Sequence, residues 1–142
     1  MLTVGIHFER IKVGLDIGPD ICDITGLLDA IVSNSKFMNG HLLATMVGST
    51  GSLTTLEFEN GVVADLKRAI EQLAPPGQIY QHELAWHDGN GHSHVQAALI
   101  GPSISLPSRK GRLKLGTWHQ AVAINHDNRP RSRVIEVTII GT

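Results

Sequence analysis

SRVIEVTII, residues 132–140, is the stretch on which the fold turns. Its β-branched side chains restrict their own χ1 rotation and pack well on a pleated surface, so the segment predicts a strand. Working back from it, WHQAVAI (118–124), RLKLG (112–116) and SISLPS (103–108) share that character, with RKG, Gly116-Thr117 and NHDNRPR between the runs. Four such runs divided by turn residues predict a mainly antiparallel sheet. Further upstream, HLLATMV (41–47) predicts a largely buried strand, and SLTTLEF (52–58) a second one pairing with it across the Gly48–Gly51 turn. Residues 1–22 carry Gly5, Gly14, Gly18 and Pro19 and predict one or two short strands.

Helical periodicity interrupts this β pattern. Asp23 or Thr25 can cap a helix with Leu27, Leu28, Ile31 and Val32 on one apolar stripe, ending by Asn39-Gly40. Asn60 can cap a second, with Val62, Val63, Leu66, Ile70 and Leu73 facing inward until Pro75 stops it. VQAALI (95–100) adds about two helical turns before Gly101-Pro102. The expected fold is therefore α+β: one domain over 1–142, a mainly antiparallel sheet or sandwich with two to three helices packed on it.

Composition narrows the function. At 142 residues the chain can bury one core unaided, and a single cysteine, Cys22, rules out an internal disulfide. No apolar run approaches the roughly 18 residues that span a bilayer, and the first ten residues lack the pattern of an export signal, so a cytoplasmic protein without membrane insertion is expected. A net charge of −1, with basic residues thinly spread outside SRKGRLK and RPRSR, leaves no broad footprint for nucleic acid.

Against that background the segment WHDGNGHSH (86–94) stands out, since with His82 it holds four of the eight histidines. Neutral imidazole binds zinc well, and three protein ligands with one open position is the arrangement of a catalytic zinc site. His82, His92 and His94 are the candidate ligands. Residues i and i+2 lie about 200° apart on a helix, so His92 and His94 converge only if GNGHSH is extended or turned, with the helix starting near His94. Asp88 and Asn90 could orient a ligand imidazole, or Asp88 could itself bind the ion. A solvated His-rich loop and hydrogen-bonded core histidines are the alternatives that the residues alone leave open.

Three further features are candidates. The glycines and hydroxyls of GSTGS (48–52) could form an anion-binding nest, with Ser49 and Thr50 contacting phosphate, or simply a tight turn. Arg131 and Arg133 could grip a phosphate, or else decorate a solvated turn. Glu57 could act as a base or ligand if its strand borders the histidines, and Trp118 reads as core or interface packing.

DIT (23–25), LTTLEFE (53–59), YQHE (80–83), WHDGNGHSHVQAALIGPSISLP (86–107), GRLKLGTW (111–118) and RPRSRVIEVTIIG (129–141) together resemble the YjbQ-like family, of the secondary thiamine-phosphate synthase type. The resemblance implies a compact α+β fold, a homotrimer, and a site containing His82, Asp88, Asn90 and His94, with Glu57 nearby and Arg133 at its C-terminal end. It also implies a divalent metal, zinc first and magnesium second, and the joining of a thiazole phosphate to a pyrimidine pyrophosphate. The chain departs from the resemblance at Ser49-Thr50-Gly51, where many relatives have His-Thr-Thr, and at His119, where they have Gln. The expected function is a metal-dependent enzyme acting on a small phosphorylated ligand. In it His82, His92 and His94 hold the ion, Asp88, Asn90 and Glu57 serve catalysis, and Ser49, Thr50 and Arg133 bind phosphate. The rival is a non-catalytic trimeric module that binds a metal or ligand.

Overall fold

The computed structural model describes residues 2–142. Its elements in chain order are β1 (Gly5–Leu15), β2 (Asp20–Asp23), α1 (Thr25–Ser35), β3 (Asn39–Val47), β4 (Gly51–Leu56), α2 (Asn60–Leu73), α3 (Gln81–Trp86), α4 (Gly91–Ile100), β5 (Ser103–Arg109), β6 (Arg112–Leu113), β7 (Gln120–Asn125) and β8 (Arg131–Gly141). They build an α+β sandwich of two antiparallel sheets, ordered β1-β8-β3-β5-β6 and β2-β7-β4. Among the described residues no helix is long and apolar enough to cross a membrane.

β8 is the strand its composition predicts, and it lies between β1 and β3 in the larger sheet. Alternation decides its faces. Ile135, Val137 and Ile139 point inward beside Leu42, Ala44 and Met46 of β3, and pack with Leu28, Ile31 and Val32 of α1 and Leu53, Ala121 and Ala123 of the smaller sheet. On the far side of the smaller sheet Ile21, Val122 and Ile124 meet Ile70 of α2, so β7 is covered on both faces. Each fully buried aliphatic side chain here contributes about 1.5–3 kcal/mol.

Several expectations change in three dimensions. The N-terminal region forms one long strand, β1, followed by the short β2, because β1 finds a full-length partner in β8. β3 alternates between buried and exposed instead of being largely buried, since only one face of its sheet is covered. It does not pair with β4: β3 lies between β8 and β5, while β4 pairs with β7 in the other sheet. Leu27 and Leu73 are exposed, and α2 is capped by Glu59, whose carboxylate accepts from the Gly61 and Val62 amides, and not by Asn60. Among the described residues the helices number four, the extra one being α3. Trp118 is 74 % exposed and precedes β7, so it packs no core.

Two connections cross between the sheets at the same end of the sandwich. Residues 48–50 link β3 to β4, and residues 126–130 link β7 to β8; the pairs Val47↔Val134 and Gly51↔Asn125 hold the crossings side by side. The C-terminal end of α4 is tied to the first crossing, with the Met46 and Leu53 amides donating to the Pro102 and Gly101 carbonyls. The candidate residues gather there.

Candidate metal and anion site

The turn between α3 and α4 is set by Glu83. Its two carboxylate oxygens accept from the Gly89 and Gly91 amides at 2.8 Å each, fastening the loop to the preceding helix. These bonds hold the Glu83 carboxyl below its ordinary range. Gly89 adopts a φ of +73°, a left-handed conformation that suits glycine. Freed to start early, α4 begins at Gly91 and takes both His92 and His94 into its first turns.

That start separates the two imidazoles. His92 lies on the other side of α4, its ring centroid 6.5 Å from that of Tyr80, lining a cavity of about 180 Å³ with Glu71, Gln96 and Asn128. Burial pushes it below its ordinary pKa, despite nearby Glu83. The expected trio of His82, His92 and His94 therefore does not form, for the reason of helical geometry given above.

Asp88 takes the third place. The ligating atoms of His82, Asp88 and His94 lie within 4.8 Å of one another, and among the described residues no other group of histidine, cysteine and carboxylate side chains comes together this way. His82 Nε2 is 3.0 Å from Asp88 Oδ1, and the His82 and His94 rings sit 4.4 Å apart between centroids. The exposed Trp86 ring stacks on His82 at 6.3 Å. The Asn90 amide, donating to Asp88 Oδ1 at 3.0 Å, outweighs desolvation and, with smaller help from His82 and His94, holds the Asp88 carboxyl below its usual range. An ionised carboxylate and two imidazoles are a donor set suited to zinc, and only a small closing of the three would bring them to its bond lengths. The residues fit the ion.

Beside this trio lies a polar cavity of about 390 Å³, lined in part by Ser49, Thr50, Asp88, His94, Arg131 and Arg133. The expected phosphate residues are thus gathered next to two of the candidate ligands. Arg133 comes from β8 and is only 7 % exposed, not part of a solvated turn. Its Nη2 donates to Thr50 Oγ1 at 2.5 Å and to Asn125 Oδ1 at 2.6 Å, while its buried Nε has no hydrogen-bond partner. Thr50 Oγ1 in turn donates to Asp127 Oδ2 at 2.9 Å.

Asp127 is the residue that sequence reasoning missed. It is buried and accepts from Thr50, from Asn90 Nδ2 at 3.2 Å, from the Arg129 amide at 3.0 Å, and pairs with Arg131 at 3.1 Å. Burial alone would raise its pKa, but these bonds together hold it below the ordinary value. Asn90, expected to serve catalysis, is committed to this network: its Oδ1 also accepts from the Asn128 amide at 3.0 Å. It positions the loops and also lines the polar cavity. Next to it His126 is buried, with Ser52 Oγ 2.7 Å from Nε2 and Gln96 Oε1 3.0 Å from Nδ1. Desolvation, helped by Arg133 and His92, lowers its pKa to about 4.

Glu57 is not brought to the site. It follows β4, whose six residues separate it from Thr50 by roughly 20 Å at about 3.3 Å per residue.

The family model of the UPF0047 protein YjbQ-like type matches residues 9–142. The chain belongs to this family. It is 32% identical over 116 residues to a UPF0047 protein of Archaeoglobus fulgidus, covering 82% of this chain and 88% of that one. To the UPF0047 protein YjbQ of Salmonella typhimurium it is 33% identical over 102 residues, covering 71% and 72%. Among solved structures, a YbjQ-like protein of unknown function from Sulfolobus solfataricus aligns with a TM-score of 0.93 at 29% identity, over 99% of this chain and 100% of that one. A yjbq/upf0047 family protein from Clostridium acetobutylicum aligns with a TM-score of 0.80 at 29% identity, over 91% and 98%. The family match, over residues 9–142, includes the loops that carry the site.

Proposed function

We propose that the chain is a metal-dependent enzyme acting on small phosphorylated molecules, with His82, Asp88 and His94 as the ligands of the ion. The observation that carries this reading is adjacency: a three-ligand cluster suited to zinc shares Asp88 and His94 with a cavity that also holds a buried, partly unpartnered arginine. A divalent cation there, zinc or secondarily magnesium, would supply a Lewis acid beside the cavity and offset charge on a phosphate or pyrophosphate. Arg133 and the Ser49 hydroxyl hold the anion, Thr50, whose one hydroxyl proton goes to Asp127, positions the Arg133 guanidinium, Arg131 adds charge at the rim, and Asp127 fixes Thr50 and Arg131 in place. Three protein ligands leave a coordination position open, which favours catalysis over a non-catalytic binding module.

The specific reaction we assign is the joining of a thiazole phosphate to a pyrimidine pyrophosphate, in which a charged leaving group departs next to Arg133. Its setting would be the cytoplasm, where the lone Cys22 needs no partner. A homotrimer accords with the outer face of the larger sheet, where Ile6, Phe8, Leu43 and Ile140 stand exposed on adjoining strands. Metal analysis of purified protein together with turnover of these two substrates tests the proposal. Retained zinc and loss of turnover in His82→Ala are the expected results. Protein free of metal, with turnover unchanged by that substitution, overturns it.

A further inference from the structure

The basic run SRKGRLK, residues 108–114, has no part in the metal and anion site. It lies at the other end of the sandwich, since β3 runs roughly 26 Å from Asn39, beside this run, to Val47 at the crossing. There β5 and β6 are joined by Lys110 and Gly111, with Arg109 and Arg112 directly opposite each other. Lys110 and Gly111 have φ of +53° and +73°, the left-handed pair of a two-residue turn in which Asn-Gly is the favoured sequence. A lysine in the first place is strained, and two like charges facing across the strands repel. Local stability argues against such a tip, whose effect is to hold three cations within one turn. The fold adds two more. The Gly111 amide donates to the Met38 carbonyl at 2.9 Å, which brings the loop carrying the exposed Lys36 beside the tip, and the exposed Lys114 follows Arg112 by two residues. Five of the twelve Lys and Arg residues thus gather at one end of a chain whose net charge is −1. Among the described residues the one ion pair in this group is Arg112 with Asp29 at 3.3 Å, and the Arg112 side chain is still 77 % exposed. Beyond β6, Leu113 and Leu115 pack against the core while Arg112, Lys114 and Gly116 face solvent, and the segment leads to the exposed Trp118.

We infer that this hairpin and the segment through Trp118 bind single-stranded nucleic acid without sequence preference. Phosphates lie against the line of cations and a base stacks on the indole, the combination by which proteins hold a single strand. From Arg112 to Trp118 the line reaches at most about 20 Å. Trp118 decides between partners. An acidic peptide satisfies the cations alone, whereas a base has a flat face for the exposed ring. A duplex keeps its bases stacked on one another and offers none. The surface is separate from the metal site and stands whether or not that site is catalytic.

Fluorescence anisotropy of labelled oligo-U and oligo-dT of about ten nucleotides, titrated with the full chain between about 20 and 200 mM salt, tests the inference. Both strands should bind, with log affinity falling against log salt at a slope of about −2 to −3, the value for three to four phosphates at about −0.7 each. Lys110→Gly removes a cation and relieves the left-handed strain. It should weaken binding and make the slope shallower by about 0.7, without lowering resistance to urea. Trp118→Ala, at an exposed position, should weaken binding about fivefold or more and leave the slope unchanged. No binding at the lowest salt, or binding that neither substitution changes, overturns the inference. A duplex of the same length, or poly-glutamate, bound as tightly as the single strand and unaffected by Trp118→Ala also overturns it, the poly-glutamate result by assigning the hairpin to an acidic protein.

Discussion

Arg133 and His94 line one cavity, yet the regions they belong to are built on different principles. Around Arg133, the side chains of Thr50, Asn90, Asn125 and Asp127 are buried and bonded to one another, so that their geometry is fixed before any ligand arrives. Around His94, the ligand trio is open to solvent, with side-chain exposures of 24 % for His82 and 37 % for Asp88, and only the Asn90 amide and the partly exposed His82 ring hold the carboxylate. The first region should contribute to stability and hold an anion by preorganisation. The second should contribute almost nothing to stability and acquire rigidity only with an ion.

Breaking the first region has the largest expected effect. Asp127→Ala strands the Thr50 hydroxyl and the Asn90 side-chain amide in a buried place and removes the acceptor of the Arg129 amide, and should cost about 3–5 kcal/mol in urea unfolding. Acid acts on the same region through His126. Its pKa is about 4 in the folded protein against 6.5 as the ordinary value, so the unfolded chain takes up the proton first as pH falls. The His126 contribution should be flat above pH 6.5, decline toward pH 4 by roughly 3 kcal/mol and stay constant below, where the lowered carboxyls of Glu83, Asp88 and Asp127 take stability down further; His126→Gln should reduce the decline between pH 6.5 and 4. In the second region, His82→Ala should weaken zinc binding by about 100-fold or more while changing unfolding free energy by less than about 1 kcal/mol. His92→Ala sharpens the contrast with the smallest effect: zinc affinity measured by competition with a chelator should stay within about twofold of the parent, because His92 faces away from the trio.

Local pattern and tertiary pattern were unequally legible in the sequence. Strands β5, β7 and β8 and helices α1 and α2 follow from side-chain periodicity, which the chain displays residue by residue. The partners of β3 do not, since they are chosen by where β8 lies and not by the short turn that leads to β4. The same distinction applies to the site. His82, Asp88 and His94 share one segment and were visible as a cluster. Their true membership depended on where α4 starts, and that is decided by the Glu83 carboxylate reaching forward to Gly89 and Gly91. Asp127 lay inside NHDNRPR, a stretch with the composition of an ordinary turn. Its importance comes from four partners drawn from three segments, an arrangement that no spacing rule encodes. Glu57 was misplaced for a simpler reason, the length of β4.

Anomalous diffraction from a crystal soaked in zinc, collected on both sides of the zinc absorption edge, tests the central claim most directly. A single peak about 2.0–2.2 Å from one nitrogen each of His82 and His94 and from an oxygen of Asp88 is the predicted result. A peak at His92 with none at that trio, or a trio that stays empty at saturating zinc, would contradict it.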